Sequence, residues 1–216
     1  MSAATAARIV AALIAFLAWI GLAIQFVISY GVDGSIRATL ATLLWFFTIT
    51  TNLLVAIVFT RTALRPESVS PSLTAATNLF ILLVGVVYGL LLHGLTELNG
   101  GSAAANVLLH MATPIAVPLF WLAFTPKGLL NKRDPLLWAL YPLGYLFYAL
   151  LRGQFTHRYP YPFLNVNELG WVRMLTNALL IAIAFLAASW LFVWLDSLLS
   201  RRTRAQKRPD GPHSSQ

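Results

Sequence analysis

The chain has 216 residues, of which 58% are hydrophobic and only 10% are charged. A soluble domain carries about 25% charged residues because its surface must be wetted, so this composition excludes a soluble enzyme, a disordered chain and a fibrous repeat. The absence of Cys excludes disulfides, thiol nucleophiles and Cys-ligated metals. The formal net charge of +8 is concentrated between apolar segments and at the C-terminus, so it predicts membrane topology and no nucleic-acid partner.

Six apolar segments of the sequence approach the length of a membrane span. A bilayer core about 30 Å thick requires roughly 20 apolar residues in a helix. We therefore predict an all-α polytopic membrane bundle of six transmembrane helices over residues 1–200. The basic tail, residues 201–216, has few apolar side chains to bury and is predicted to be disordered. The predicted spans are 7–29, 41–60, 73–92, 104–124, 136–151 and 171–196.

The distribution of Lys and Arg predicts the orientation of the spans. Positively charged residues near span ends are retained in the cytoplasm. Eleven lie on one side of the spans and four on the other. With an even number of spans, this predicts a plasma-membrane protein whose two termini both lie on the cytoplasmic side. The tail is interpreted as a topology anchor, with anionic membrane lipids as an alternative partner. The eleven are Arg8, Arg61, Arg65, Lys127, Lys132, Arg133, Arg201, Arg202, Arg204, Lys207 and Arg208, and the four are Arg37, Arg152, Arg158 and Arg173.

Polar residues inside the spans indicate either helix contacts or a site. Thr48, Thr51 and Asn52 share one face of the second span, and Thr48 is expected about 10 Å deep at 1.5 Å per residue. His110 in the fourth span and Asn177 in the sixth lie at a similar depth. If the helices pack upright, these residues form a polar pocket in the outer half of the bundle.

His110 is the strongest single candidate for chemistry. An imidazole is the usual general base near neutral pH and is rare deep in a span. Pro114, four residues later, cannot donate to the His110 carbonyl, so the helix is expected to bend there. The alternative is a packing histidine bonded to a neighbouring carbonyl. The threonines can likewise be structural, since they commonly bond back to the carbonyl four residues earlier.

Other features leave their interpretation open. The Pro-stiffened aromatic segment 159–166 is either a lid over the pocket or an ordinary interfacial anchor. Gly85 and Gly89 predict a close helix contact. The histidines lack the H-x-x-x-H and H-E-x-x-H spacings of metal sites, so neither a metal nor a cofactor is predicted.

Three motifs on the predicted spans and outer loop resemble a known family. They are FFTITTNLL at 46–54, LLHMATP at 108–114 and YPYPFL at 159–164. The pattern resembles the bacterial Pr-six-Pr family of six-helix membrane proteins, which is similar to the eukaryotic androgen-induced FAR/AIG-like hydrolases. The resemblance covers nearly the whole chain apart from the basic tail. It implies six membrane helices and hydrolysis of fatty-acid esters of hydroxy fatty acids within the membrane.

The resemblance also implies roles for individual residues. The eukaryotic enzymes depend on a threonine of the second span and a histidine of the fourth, which correspond to Thr48 and His110. In those enzymes an Asp or Asn follows the threonine by three residues, whereas Asn52 follows Thr48 by four. Aligning the asparagines would put Ile49 at the nucleophile position, so Thr51, on the same face as Thr48, is an alternative nucleophile. Asn52 and Asn177 are supporting candidates, which would donate to the oxyanion or orient the imidazole.

The function predicted on this basis is a lipid-ester hydrolase with a Thr nucleophile and a His base in an outer-leaflet pocket. A non-enzymatic membrane carrier or small-molecule binding protein is the main alternative. It would require polar residues to continue towards the cytoplasmic side, where they are sparse. A haem protein using His93 and His110 as axial ligands and a purely structural role also stay open.

Overall fold

The computed structural model describes residues 1–95 and 97–206, which fold into α-helices with short 3-10 and π-helical turns and no strand. The all-α prediction is therefore confirmed. Ser side chains cap the starts of three helices, as helix N-termini favour, and the caps are Ser2, Ser35 and Ser70. The helices are α1 Ala3–Asp33, α2 Ile36–Leu43, α3 Phe47–Leu64, α4 Pro71–Val87, α5 Gly100–Val107, α6 Thr113–Phe124, α7 Asp134–Thr156 and α8 Val166–Gln206.

Five helical segments of the described chain are long and apolar enough to cross a membrane. Two of them contain a π-helical turn: α4 continues through Tyr88–Leu92, and α5 joins α6 through Leu108–Ala112. The chain therefore has the helix lengths and hydropathy of a multi-pass membrane protein. The segments are Ala3–Asp33, Phe47–Leu64, Pro71–Leu92, Gly100–Phe124 and Val166–Arg201.

The fifth predicted span, 136–151, lies within α7, which is less apolar than the five segments. Its Tyr, Trp, Pro and Gly residues lower the mean hydropathy. Near its start, Trp138 Nε1 donates to Ser72 Oγ of α4 over 3.1 Å. Near its end, Arg152 Nη1 donates to the Ala41 carbonyl of α2 over 2.7 Å. Helix α3 runs from the end of the bundle where α2 lies to the end where α4 starts. The two contacts therefore show that α7 runs between opposite ends of the bundle.

The second predicted span is interrupted, which corrects the expectation of a continuous helix over 41–60. Phe46, between α2 and α3, is extended with φ −94° and ψ 130°. Tyr145 of α7 donates to the Trp45 carbonyl over 2.8 Å. This side-chain bond provides the carbonyl with a partner where the helical ladder stops. As a result, Thr48 lies in the first turn of α3 instead of the interior of a longer helix.

The last helix is longer than its predicted span, 171–196. It includes a break at Gly170, whose φ of 72° and ψ of 163° are non-helical, and this conformation favours glycine. The helix continues through Gln206, beyond the predicted start of the basic tail. Residues 207–216, the rest of that tail, lie outside the described residues.

The most extensive helix packing joins α1 to α3, and α4 packs on α6. Small residues allow close approach between helices. A side chain at Gly21 of α1 would overlap Leu109 of the π-helical turn, and one at Gly85 of α4 would overlap Pro114 of α6. Gly89 has open space around it, so the contact predicted for the glycine pair is made by Gly85. Helices α7 and α8 pack less extensively against this group.

Candidate functional site

The hydroxyl of Thr48 lies beside the imidazole of His110, with Oγ1 3.2 Å from Nε2. Thr48 is in the first turn of α3, where backbone N–H groups lack acceptors within the helix. Its side chain is buried, with 7% of its surface exposed. The structure thus joins the threonine of the second predicted span to the histidine of the fourth at hydrogen-bond distance.

The His110 ring is held by aromatic stacking in the π-helical turn Leu108–Ala112. It stacks on Tyr88 with ring centroids 4.4 Å apart and planes inclined by 29°. The Tyr88 hydroxyl accepts a 2.6 Å hydrogen bond from Asn106 Nδ2. His110 Nδ1 is buried without a well-formed hydrogen bond, and the backbone of Asn106, one turn earlier, is the group that interacts with the ring. These contacts direct Nε2 towards Thr48.

The irregular helix around His110 follows from Pro114, as the sequence indicates, because proline cannot donate to the carbonyl four residues earlier. The structure forms a π-helical turn there, and π-helical turns are frequent at functional sites. Asn52 Nδ2 donates to the Leu109 carbonyl over 3.0 Å. Thr113 Oγ1 in turn donates to Asn52 Oδ1 over 2.7 Å. Protein side chains therefore supply the hydrogen bonds that an irregular backbone needs within a membrane.

Asn52 holds the two halves of the Thr48–His110 pair together. It is fully buried, and its Nδ2 also donates to the Thr48 carbonyl over 2.9 Å. Both amide hydrogens are thus directed to backbone carbonyls, one on α3 and one on the turn that carries the imidazole. Of the two roles predicted for Asn52, this geometry fits positioning and leaves no hydrogen for an oxyanion.

Thr51 and Asn177 have other partners. Thr51 is fully buried and lies 3.3 Å from the Tyr141 hydroxyl. Asn177 Nδ2 donates to the Phe163 carbonyl over 3.1 Å and so holds the aromatic segment 159–166 against α8. The structure therefore brings Thr48 to the imidazole and places Thr51 against a different helix.

The aromatic segment 159–166 contributes a residue that sequence reasoning did not assign to the site. The Tyr161 hydroxyl accepts a 3.4 Å hydrogen bond from the backbone N–H of Thr48. Tyr161 is buried, and burial raises the pKa of its phenol. Its hydroxyl also faces those of Thr48 and Tyr145. Tyr161 therefore lies inside the bundle, next to Thr48. The sequence feature that could have indicated this residue is the alternation of Tyr and Pro over residues 159–162.

An apolar cavity of about 120 Å³ lies beside this cluster. Thr48, Tyr145 and Tyr161 are the three polar side chains in its lining, and they adjoin one another. Thr48 is thus in contact with the His110 imidazole and also forms part of the cavity wall. The apolar lining is supplied mainly by α4, α7 and α8, and includes Leu83, Val84, Val87, Pro142, Leu143, Leu146, Ile181, Ala182 and Leu186.

The arrangement can activate a hydroxyl at the wall of an apolar cavity. A threonine hydroxyl is a weak nucleophile unless a neighbouring base takes its proton, and His110 is placed to do so. In the part of the chain that the structure describes, no three His, Asp or Glu side chains lie close enough together to hold a metal ion. No family model, curated protein or solved structure matches the chain.

Proposed function

We propose that the chain is an integral membrane protein with six spans, its termini in the cytoplasm and its site in the outer half of a plasma membrane. The arrangement of α7 supports the sixth span. It contacts both ends of the bundle and, at 23 residues, reaches roughly 34 Å at 1.5 Å per residue. The excess of Lys and Arg on one side of the spans supports the orientation.

The proposed activity is hydrolysis of lipid esters by Thr48 and His110. The observation that carries it is the 3.2 Å contact between Oγ1 and Nε2, made by a threonine that also lines an apolar cavity. The acyl chain of the ester would occupy the cavity, with the carbonyl at its polar end. Kinship with the Pr-six-Pr and FAR/AIG-like proteins remains part of this proposal and rests on the three sequence motifs.

The chemistry proceeds in two steps. His110 Nε2 takes the proton of Thr48 as Oγ1 attacks the ester carbonyl, which requires the neutral imidazole to carry its hydrogen on Nδ1. The same proton passes to the departing alkoxide, leaving an acyl-threonine ester and an alcohol. Water then attacks the acyl group and gives a proton to His110, which passes it to Thr48 Oγ1 as the bond between the acyl carbon and Oγ1 breaks. The products are a fatty acid, an alcohol and regenerated Thr48.

The test is labelling of the detergent-solubilised full chain with a fluorophosphonate probe and turnover of a p-nitrophenyl acyl ester. We compare the wild type with Thr48→Ala, His110→Ala and Thr51→Ala at matched folding. Thr51→Ala is the control, since it removes a buried hydroxyl from the same helix that contacts Tyr141 instead of His110. We expect loss of labelling and turnover in the first two variants, by at least 10³-fold in kcat, and retention in the control.

Three results would contradict this assignment. Retained turnover in His110→Ala refutes the imidazole as base, and loss confined to Thr51→Ala moves the nucleophile by one turn. An unlabelled and inactive wild type that is folded refutes the hydrolase. The second candidate, a carrier or small-molecule binding protein, then takes precedence.

A structural feature of the inner half favours that second candidate. A cavity of about 300 Å³ lies between the inner ends of α1, α3, α4 and α6, with Thr62, Thr74 and Thr125 among its lining residues. Asn78 of α4 is fully buried, and neither of its side-chain polar atoms has a hydrogen-bond partner. A carrier would use such groups beyond the outer cavity. Transport of a labelled fatty acid into proteoliposomes, lost in Asn78→Leu, is the corresponding test.

A further inference from the structure

We propose that Tyr161 donates the hydrogen bond that stabilises the oxyanion formed when Thr48 attacks an ester carbonyl. This inference rests on the hydrolase function proposed above and assigns a catalytic residue to it. The attack converts the carbonyl into a tetrahedral centre whose oxygen carries negative charge. A donor placed for that oxygen in a site shielded from water lowers the barrier substantially.

Tyr161 is the side chain whose hydrogen is available for this role. Its oxygen accepts the N–H of Thr48 over 3.4 Å, and this leaves its own hydrogen free to point elsewhere. Of the three polar side chains in the cavity lining, Thr48 is the proposed nucleophile. Tyr145 already donates to the Trp45 carbonyl over 2.8 Å. An ester carbonyl within reach of Thr48 Oγ1 therefore lies next to the Tyr161 hydroxyl, at the polar end of the cavity.

The aromatic segment 159–166 is built to hold Tyr161 in place. Its ring stacks on Phe163, with centroids 5.1 Å apart and planes inclined by 4°. Asn177 Nδ2 binds the Phe163 carbonyl, and the Tyr159 ring packs on Gly153 of α7 so closely that a side chain there would overlap it. A donor fixed before the reaction needs no reorganisation as charge develops. The raised pKa of Tyr161, caused by burial, keeps the phenol protonated in neutral and moderately alkaline solution.

The proton balance of the attack is unchanged by this assignment. The Thr48 proton moves to His110 Nε2 as the carbon–oxygen bond forms. Tyr161 donates a hydrogen bond to the carbonyl oxygen and keeps its own proton. When the tetrahedral centre collapses, the carbonyl re-forms, the bond to the alcohol oxygen breaks, and His110 protonates that oxygen. The same donor serves the second tetrahedral centre, which forms when water attacks the acyl-threonine.

The experiment compares Tyr161→Phe with Tyr159→Phe in the full-length protein. Both variants remove one phenol oxygen from the same segment, but the Tyr159 hydroxyl binds the exposed amide of Gln154 and is absent from the cavity lining. We measure kcat and KM for the p-nitrophenyl acyl ester, and inhibition by an alkyl trifluoromethyl ketone. This ketone forms a tetrahedral oxyanion adduct with the nucleophile. The corresponding fatty amide, which forms no adduct, reports on ground-state binding.

For Tyr161→Phe we expect kcat to fall by about 10²–10³-fold, with KM changed by less than about threefold. The trifluoromethyl ketone should weaken by a similar factor, and the fatty amide should bind as before. If Tyr161→Phe matches Tyr159→Phe in an otherwise active protein, the inference is wrong. A wild type no more active than Thr48→Ala refutes the proposed function itself, together with this inference.

A second variant keeps the test informative if Tyr161→Phe fails to fold. Replacement of Tyr161 by 3-fluorotyrosine retains the hydroxyl at the same position and strengthens it as a donor. We expect kcat to rise by about twofold and the trifluoromethyl ketone to bind more tightly, in line with a stronger oxyanion donor. If neither quantity changes, the oxyanion role of Tyr161 is refuted.

Discussion

Gly85→Ala tests whether the packing of α4 on α6 sets the geometry of the Thr48–His110 pair. An alanine Cβ at this position would lie 2.7 Å from Pro114 Cβ and 3.2 Å from its Cγ. Carbon atoms pack at about 3.5–4.0 Å, so α6 must retreat by about 1 Å. Pro114 lies two residues after the π-helical turn of His110, so this displacement lengthens the 3.2 Å contact between Oγ1 and Nε2 to about 4 Å, beyond hydrogen-bond distance.

Gly89→Ala is the matched control because it adds the same methyl group to the same helical segment in open space. Overpacking costs about 1–3 kcal/mol, while the change from Gly to Ala gains up to about 1 kcal/mol of helix propensity at either site. Gly85→Ala should therefore be about 1–3 kcal/mol less stable than Gly89→Ala in reversible denaturant unfolding in mixed micelles.

The same pair of variants is assayed for ester turnover. A displacement of about 1 Å at reacting groups can cost 10²-fold in rate, so we expect about 100-fold lower kcat for Gly85→Ala and near-normal kcat for Gly89→Ala. Equal stability and equal turnover in the two variants would refute the packing argument. Lower stability with unchanged turnover would separate the glycine contact from the catalytic geometry.

Asn52→Asp should destabilise the protein by about 3–5 kcal/mol, since an isosteric carboxyl cannot donate to the carbonyls of both Thr48 and Leu109 and is buried beside them; an unchanged unfolding midpoint would contradict this. Asn78→Leu should raise stability by about 1–2 kcal/mol because the wild-type amide is buried without hydrogen-bond partners. A lower Tm for this variant would show that the Asn78 amide does have such partners. The raised pKa of Tyr161 predicts a pH effect: the unfolded phenol ionises near pH 10, so its contribution to stability is full below that pH and is lost as the pH rises towards the folded value. The wild-type Tm should therefore fall more steeply above about pH 10 than the Tm of Tyr161→Phe, and parallel curves would argue against it.

The helices were predictable because their lengths follow from the bilayer and from long apolar runs. The depth of polar residues along the spans, together with the family resemblance, also indicated Thr48 and His110 as a pair. Residues at equal depth on different helices can still face apart, so the sequence alone left Thr48 and Thr51 as alternatives. The packing of α3 gives them different partners, because it directs Thr48 towards His110 and Thr51 towards Tyr141.

The break before α3 could not be read from the sequence. No Gly or Pro marks it, and the aromatic run from Trp45 to Phe47 is compatible with a helix. The carbonyl released there is bound by Tyr145, a residue 100 positions later in the chain. Such a long-range contact has no local signature, so propensity and periodicity predict a continuous helix.

Tyr161 was missed for a related reason. Its contact with Thr48 spans 113 positions of the chain, and tyrosine next to a membrane span is normally interpreted as an interfacial anchor. The stiff YPYP sequence did indicate a segment with a defined conformation. The aromatic residue that enters the bundle is determined by two long-range contacts of the segment: the Tyr159 ring packs on Gly153, and Asn177 binds the Phe163 carbonyl.

Thr48 contacts the His110 imidazole and also lines the apolar cavity. In the proposed hydrolase, this arrangement separates the residues that would set substrate preference from those that would activate the hydroxyl. The imidazole approaches its hydroxyl from the closely packed group of α1, α3, α4 and α6, whereas much of the cavity lining comes from the less extensively packed α7 and α8. Substitutions such as Leu143→Ala or Ile181→Phe alter the space for an acyl chain without touching the groups that hold the base. For the hydrolase proposed above, we therefore expect such substitutions to change chain-length selectivity and reactivity independently.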